Sequence, residues 1–205
     1  MGTLKDSKKV IGVVLAGGRS SRMGRDKALL KIEALSMIER AEQLLANTSV
    51  DKVMISRNDD NSAHTADIIP HKGPLSGIHA IATRYIDCNL LVLPVDLPLM
   101  DADTLEQLIY SGKETGKNVR FGIDNVPLFI QNTAIFRQVI DYTLRCTANY
   151  SVKQLCTHFP LLELPLKTRS KMFNTNTPEQ WRFAMQHFSP AHSQNTTELI
   201  NGSFK

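Results

Sequence analysis

A glycine- and arginine-rich segment follows the first apolar run of the chain. It reads Gly17-Gly18-Arg19-Ser20-Ser21-Arg22-Met23-Gly24-Arg25-Asp26-Lys27, with three glycines, three arginines and a lysine in eleven residues. Glycines without Cβ let backbone N–H groups approach phosphate oxygens, while arginine and lysine supply donors and positive charge. The segment predicts a loop that holds a polyphosphate, although its glycine content alone is also compatible with a solvated surface turn.

The spacing in this loop matches neither of the two common phosphate-binding fingerprints. The pattern G-x-x-x-x-G-K-[ST] fails because five residues separate Gly18 from Gly24 and Lys27 follows three residues later. The pattern G-x-G-x-x-G is absent from the loop. The loop is therefore neither a P-loop nor a dinucleotide-binding turn.

A single carboxylate stands at the end of a second apolar run. The run 90–93 leads into Pro94-Val95-Asp96-Leu97-Pro98, so Asp96 follows a predicted buried strand and lies between stiff residues. Mg²⁺ commonly takes one or two protein carboxylates and fills its other positions with phosphate oxygens and water. We therefore predict that Asp96 binds Mg²⁺, with an ordinary turn or cap aspartate as the alternative.

Two further segments carry groups that suit a nucleotide or its reaction partner. Gly73-Pro74-Leu75-Ser76-Gly77 precedes a predicted helix over 78–85, and helix N-termini offer unpaired N–H groups to anions or base edges. Asn174-Thr175-Asn176 precedes the last predicted helix, and asparagine can bind Mg²⁺ or phosphate without adding charge. Each segment is also compatible with an ordinary turn or helix start.

Apolar runs alternate along the chain with amphipathic stretches of helical period, which predicts an α/β fold with a mostly parallel sheet. We expect strands at 10–15, 53–55, 90–93, 118–123, 128–131 and 161–166, and helices at 36–46, 78–85, 103–111, 133–145, 151–156 and 177–188. Asp103-x-x-Glu106 predicts a capping box, and Thr177-Pro178-Glu179-Gln180 predicts a second marked helix start. We expect one domain over residues 1–188 and a flexible tail over 189–205.

Composition narrows the class of protein. The chain has 205 residues, 42% of them apolar, and a net charge of +4 that is spread without a long run of one sign. That distribution favours anionic small molecules over nucleic acid. No apolar run is long enough for a membrane span and the start is polar, so we expect a cytoplasmic protein without a membrane partner. Cys88, Cys146 and Cys156 form no C-x-x-C pair and are expected to be buried thiols.

The phosphate loop resembles the signature of a known family. Leu15-Ala16-Gly17-Gly18-x-Ser20-x-Arg22-Met23-Gly24-x-Asp26-Lys27 is similar to the loop of the molybdenum cofactor guanylyltransferases, which belong to a wider set of nucleotidyltransferases. The segments at 73–77, 94–98, 124–128 and 174–179 resemble later family motifs and follow in family order. The resemblance implies a single-domain, three-layer α/β/α Rossmann-like nucleotidyltransferase fold.

The resemblance also implies an activity. It is the Mg²⁺-dependent transfer of GMP from GTP to the phosphate of molybdopterin, with release of pyrophosphate and formation of the guanine dinucleotide cofactor. Contacts with other molybdenum cofactor proteins are implied as well.

Residue roles follow from the same resemblance. It implies catalytic roles for Lys27, Asp96 and Arg22. It implies nucleotide binding by Leu15, Ala16, Gly17, Gly18, Lys27, Ser56, Asn58, Gly73, Gly77 and Asp96. Asp96 and Asn176 are the implied metal ligands, and Asn174, Asn176 and Pro127 the implied contacts to the acceptor.

Three places depart from the family pattern. Relatives often end the second strand in Asn near the base or ribose, whereas this chain has Ser56, followed by Arg57 and Asn58. Relatives carry an Asp shortly before the G-P-L turn, whereas 68–72 has no carboxylate and the nearest polar groups are those of Asp67 and His71. Glu33-Ala34-Leu35-Ser36 replaces the usual tight turn before the first helix.

These departures leave two alternatives open. One is a cytidylyltransferase, or another nucleotidyltransferase, that acts on molybdopterin or on a sugar or alcohol phosphate. The other is a non-catalytic nucleotide-binding relative.

Overall fold

A computed structural model describes residues 8–17 and 26–188 of the chain. In chain order the strands are β1 (Val10–Leu15), β2 (Lys31–Ile32), β3 (Leu35–Ser36), β4 (Lys52–Ser56), β5 (Asn89–Pro94), β6 (Asn118–Phe121), β7 (Leu128–Ile130) and β8 (Leu161–Leu164). The α-helices are α1 (Met37–Ala46), α2 (Pro74–Arg84), α3 (Ala102–Thr115), α4 (Ala134–Cys146), α5 (Val152–Cys156) and α6 (Pro178–Gln186). Short 3₁₀ helices lie at Lys27–Leu29 and Arg169–Met172.

The main sheet has six strands in the order β4-β1-β5-β7-β6-β8. Strand β1 is parallel to β4 and β5, and β6 is parallel to β8, while β7 is antiparallel to both of its neighbours. Leu15 pairs with Ser56 on one side and with Pro94 on the other, so three carboxyl ends stop at one level. The predicted mostly parallel sheet is confirmed.

Two apolar cores flank this sheet and define three layers. One core joins β1 to α2, α4 and α5 through residues such as Val13, Ile78 and Phe136. The other joins the opposite face of β1 to α1 and α3 through residues such as Val14 and Leu105. Every residue of β1 is buried, which explains why the strand carries no polar side chain.

Two predictions about helix starts were wrong. Helix α3 is capped by Asp101, whose side chain accepts a hydrogen bond from the Thr104 N–H, so the expected box at Asp103 does not form. Glu106 instead accepts a hydrogen bond from the Ser49 N–H at 2.9 Å, from the turn that follows α1. Helix α2 begins at Pro74 rather than at residue 78, so the segment 73–77 forms the cap and first turn of the helix instead of preceding it.

Two capping boxes are present in the described residues. The Thr177 side chain and Gln180 form the box at α6, which confirms the predicted start of that helix. Ser36 and Glu39 form the box at α1. The short hairpin of β2 and β3 precedes α1. Glu33 lies in the turn of this hairpin and has a φ of 56°.

The remaining expectations have mixed outcomes. Cys156 is buried and Cys88 partly buried, but Cys146, in the last turn of α4, is exposed, so the expectation of buried thiols was wrong for Cys146. Among the described residues, no helix has the length and apolar character that crossing a membrane requires. The predicted tail over 189–205 lies outside the described residues.

Candidate active site

A cleft of about 740 Å³ opens where the carboxyl ends of β1 and β4 face the start of α2. In open α/β sheets ligands bind at this edge, because the loops that follow the strands diverge there. The cleft brings together six residues for which nucleotide binding was predicted, namely Leu15, Gly17, Ser56, Asn58, Gly73 and Gly77. Arg57, Asp67, His71 and Pro74 are the other described residues that line it.

The two glycines at the start of α2, Gly73 and Gly77, are required for different structural reasons. Gly73 has a φ of 65° and caps the helix without a side-chain hydrogen bond, a backbone conformation that favours glycine. Gly77 lies inside the helix, where an added Cβ would overlap the Ser56 hydroxyl and come within 3.2 Å of Leu15 Cδ2. Gly77 therefore lets α2 pack directly on the ends of β1 and β4.

A carboxylate reaches the cleft even though 68–72 contains none. Asn58 Nδ2 donates to Asp67 Oδ2 at 2.7 Å, and the Asp67 N–H donates to Asn58 Oδ1 at 2.8 Å. This reciprocal pair fixes both side chains at the rim of the cleft. His71 has a φ of 66° and lines the same cleft, so both polar residues named from the sequence are present there.

The residues Lys27, Asp96 and Asn176, which are far apart in sequence, lie together beside the end of β5. Lys27 Nζ donates a hydrogen bond to Asn176 Oδ1 and lies 3.9 Å from Asp96 Oδ2. The Thr175 N–H and Oγ1 donate to the Asp96 carbonyl at 3.0 and 3.3 Å, which anchors the asparagine segment to the strand end. The predicted cation, carboxylate and amide thus form one cluster.

Among the described residues, no group fully compensates the cost of burying the Asp96 carboxylate. Loss of hydration on burial raises the pKa of this carboxyl group, and the opposing effects of the Lys27 charge and the Asn174 side chain only partly offset that rise in pKa. Asp96 Oδ1 and Asn174 Oδ1 are buried and have no hydrogen-bond partner among the described residues. Unpaired buried oxygens are costly, so a ligand that coordinates or donates to them would stabilise the site.

The predicted acceptor contact Pro127 lies at the same edge of the sheet. A cis Val126–Pro127 bond leads into β7, whose first residue, Leu128, pairs with Val92 near the end of β5. The nearby Asn125 Oδ1 is another buried oxygen without a partner among the described residues. Gly18 and Arg22, which were also predicted to act here, lie outside the described residues.

Comparison with known proteins shows the family of this chain. The model of the MobA-like NTP transferase domain matches residues 12–156. The chain belongs to the MobA-like NTP transferase family. Its phosphate-loop sequence, the cleft and Asp96 all fall within the matched range. The predicted family resemblance is confirmed.

Two relatives are similar in sequence to this chain over most of their length. A molybdenum cofactor guanylyltransferase from Xanthomonas euvesicatoria pv. vesicatoria is 33% identical over 174 residues, which cover 83% of this chain and 91% of that protein. A second, from Rhizobium johnstonii, is 30% identical over 198 residues, which cover 85% of this chain and 90% of that protein. Both matches extend the similarity beyond the range of the family model.

Solved structures confirm the predicted fold of this family member. The molybdopterin-guanine dinucleotide biosynthesis protein A from Archaeoglobus fulgidus superposes with a TM-score of 0.72 at 17% identity, covering 86% of this chain and 97% of that chain. The 2-C-methyl-D-erythritol 4-phosphate cytidylyltransferase from Thermus thermophilus superposes with a TM-score of 0.63 at 10% identity, covering 89% of this chain and 98% of that chain. A cytidylyltransferase shares this fold, so the fold alone does not select the base.

Sequence reasoning assigned no role to one residue of this family member's cleft, Arg57. Its guanidinium donates to the Ala16 carbonyl at 3.0 Å, directly before the predicted phosphate loop, and pairs with the carboxylate of Asp26 near the end of that loop. The available signal was a basic residue directly after a strand that pairs with β1. That signal is weak because such arginines are usually solvated.

Proposed function

We propose that this chain transfers GMP from GTP to the phosphate of molybdopterin, with release of pyrophosphate. The observation that carries the proposal is the cluster of Lys27, Asp96 and Asn176 beside a cleft lined by the predicted nucleotide-binding residues. The names of the relatives support the choice of guanine and of the molybdenum cofactor. The proposal of nucleotidyl transfer rests both on the geometry of the site and on the names of the relatives.

The cleft fits the nucleoside end of the substrate. The first turn of α2 offers N–H groups without a side-chain cap, and Ser56 and Asn58 add polar groups on the facing side. Asp67 adds a carboxylate, which accepts hydrogen bonds and donates none when ionised. The Watson–Crick edge of guanine carries adjacent N–H donors, so an acceptor of this kind favours guanine.

The proposed reaction is an in-line displacement at phosphorus. A phosphate oxygen of molybdopterin forms a bond to the α-phosphorus of GTP, and the bond from that phosphorus to the bridging β-phosphate oxygen breaks. The electron pair leaves with pyrophosphate, so no covalent enzyme intermediate is needed. Lys27, with Arg22 as predicted, would stabilise charge on the α-phosphate and the departing pyrophosphate. The Ala16 N–H already donates to the Ser56 carbonyl, so within the predicted contact 16–18 the N–H groups from Gly17 onward would hold the phosphates.

The residues around Asp96 fit a magnesium ion. Asp96 Oδ1 and Asn174 Oδ1 are oxygens of the kind that Mg²⁺ accepts, and both lack hydrogen-bond partners among the described residues. When bound, Mg²⁺ would neutralise phosphate charge during the transfer. Asn176, the predicted second ligand, already accepts a hydrogen bond from Lys27, so Asn174 is the better-placed amide and Asn176 would orient Lys27.

The acceptor is proposed to approach from the side of the sheet where β7 begins. Pro127 and the Asn125 amide lie there, and Thr175 bonds the 174–176 segment to the Asp96 carbonyl, just after the end of β5. The cytoplasmic location, the division at residue 188 and contacts with other molybdenum cofactor proteins stay predictions.

A thermal-shift titration with each of the four nucleoside triphosphates and Mg²⁺ tests the choice of base. A nucleotide at about 100 times its Kd stabilises a protein by about 2.7 kcal/mol, so GTP should raise the Tm well above the effect of the other three at equal concentration. Asp67→Asn should reduce this preference. Asp103→Asn, an exposed change on α3, is the matched control and should leave it intact.

Two outcomes would support the alternatives instead. A larger shift with CTP would indicate a cytidylyltransferase. Binding of GTP without pyrophosphate release, when molybdopterin is supplied, would indicate a non-catalytic relative.

A further inference from the structure

Arg57 bonds to both described ends of the predicted phosphate loop. Its Nη1 donates to the Ala16 carbonyl at 3.0 Å, directly before Gly17, and its Nη2 pairs with Oδ2 of Asp26, the second-last residue of the loop. The Ala16 N–H in turn donates to the Ser56 carbonyl at 3.0 Å. One guanidinium therefore sets the spacing between the residue that leaves β1 and the residue that precedes Lys27.

Arg57 is itself held in place by residues of the segment that follows β4. Its Nε donates to Asp59 Oδ2 at 2.6 Å, and its backbone N–H donates to the Thr65 carbonyl at 3.1 Å. Asp59 also contacts His64 Nδ1 at 2.8 Å. The side chain is 14% exposed, and the hydrogen bond with Asp26 is the main cause of its raised pKa. Arg57 is thus a fixed, charged anchor.

Asp26 transmits this anchoring to Lys27. Its Oδ2 is taken by Arg57, while its Oδ1 accepts a hydrogen bond from the Ala28 N–H at 3.0 Å and so caps the 3₁₀ helix Lys27–Leu29. Because the carboxylate is bonded on both sides, its rotamer and the start of the helix are fixed together. Lys27 is the first residue of that helix and projects to Asn176 and Asp96.

We propose that Arg57 is a positioning residue for nucleotidyl transfer, which holds Ala16 and Lys27 at their working separation and neutralises Asp26 beside the phosphate site. The proposal rests on the proposed function. Arginine is suited to this role because its planar group donates in three directions at once, whereas lysine offers a compact charge on a flexible stem. A second consequence is electrostatic, since loss of Arg57 leaves the Asp26 carboxylate unpaired next to Lys27 and the phosphates.

The test is a double-mutant cycle on purified full-length protein, with Arg57→Met, Asp26→Asn and the double variant. Asp26→Asn keeps a side chain that can cap a helix but removes the charge. Arg57→Lys tests whether charge alone suffices. The matched control is Arg137→Met, because Arg137 also bridges backbone carbonyls, those of Ile86 and Asn132 at 3.0 Å, but at the opposite edge of the sheet.

Three measurements are made on each variant: kcat and KM for GTP, Tm, and amide hydrogen exchange of residues 26–30. Arg57→Met should lower kcat/KM by about ten- to a hundredfold, mostly in kcat, because a displaced catalytic group costs rate rather than affinity. Arg57→Lys should recover only part of that loss. Asp26→Asn should cost much less in the Arg57→Met background than in the wild type, a coupling of about fivefold or more.

Hydrogen exchange separates this proposal from the proposed function, because it needs no turnover. The amide hydrogens of residues 26–30 should exchange faster in Arg57→Met than in the wild type, and at the wild-type rate in Arg137→Met. This result does not depend on whether the wild type is a transferase. An inactive wild type with this exchange pattern would overturn the proposed function and leave the anchoring. An active wild type with normal kcat in Arg57→Met, or with additive losses in the cycle, would overturn the positioning role.

Discussion

Replacing Gly77 by alanine tests the close contact on which the nucleotide cleft is built. An added Cβ would overlap the Ser56 hydroxyl, lie 3.0 Å from Ser56 Cβ and lie 3.2 Å from Leu15 Cδ2. Because the hydroxyl can rotate but the Ser56 Cβ is fixed to β4, helix and strand must separate by a few tenths of an ångström. The cleft lies along that seam.

The size of the effect follows from two opposing contributions. Overpacking of a well-packed core costs about 1–3 kcal/mol. Alanine in a helix interior recovers about 1 kcal/mol relative to glycine. The expected net loss is about 1 kcal/mol, which lowers the Tm by about 2–4 °C for a domain of this size. The affinity for GTP should fall as well, because the first turn of α2 moves away from the strand ends.

The assay is thermal unfolding without nucleotide, followed by a GTP titration. Ser56→Ala in the Gly77→Ala background should restore part of the stability, since it removes the overlapping oxygen and leaves only the 3.0 Å contact. Gly17→Ala is the matched control for the unfolding measurement alone, because a Cβ on Gly17 meets no atom of the described residues within 4 Å, whereas its predicted nucleotide contact excludes it from the GTP titration. A Gly77→Ala protein at least as stable as the wild type, with no coupling to Ser56, would refute the packing argument.

The remaining predictions concern the charged cluster. Lys27→Ala should lower kcat by about a hundredfold or more, the typical cost of deleting a donor that stabilises transition-state charge, as single-turnover rates would show. Asp96→Asn should abolish turnover yet raise the Tm of the nucleotide-free protein. The pKa of Asp96 is raised, so its ionised form opposes folding, and the Tm gain should grow as pH rises above the ordinary range for aspartate and vanish in acid. Asn174→Ala should weaken the Mg²⁺-dependent part of GTP binding more than Asn125→Ala does, as titrations with and without Mg²⁺ would show.

Local sequence signals predicted the elements that are buried on both faces or carry a complete cap. Strand β1 was predicted at its observed bounds because five apolar residues and one glycine, without a polar side chain, suit a strand covered on both sides. The start of α6 was predicted because Thr177, Pro178 and Gln180 together satisfy the first turn without help from other elements.

Features that depend on distant contacts were missed. Asp103 and Glu106 have the spacing of a capping box, but Asp101 takes the cap and Glu106 bonds to Ser49, which no local pattern reveals. The same limit applies to the site. The loop motif indicated Lys27, whereas the role of Arg57 depends on the fold bringing β4 beside both ends of that loop.

Release of pyrophosphate from GTP in the presence of molybdopterin and Mg²⁺ tests the central claim most directly. The wild type should release one pyrophosphate for each guanine dinucleotide formed, and Asp96→Asn should release none while retaining part of its GTP binding. Absence of pyrophosphate release by folded wild-type protein that binds GTP, or undiminished release by Asp96→Asn, would contradict the account.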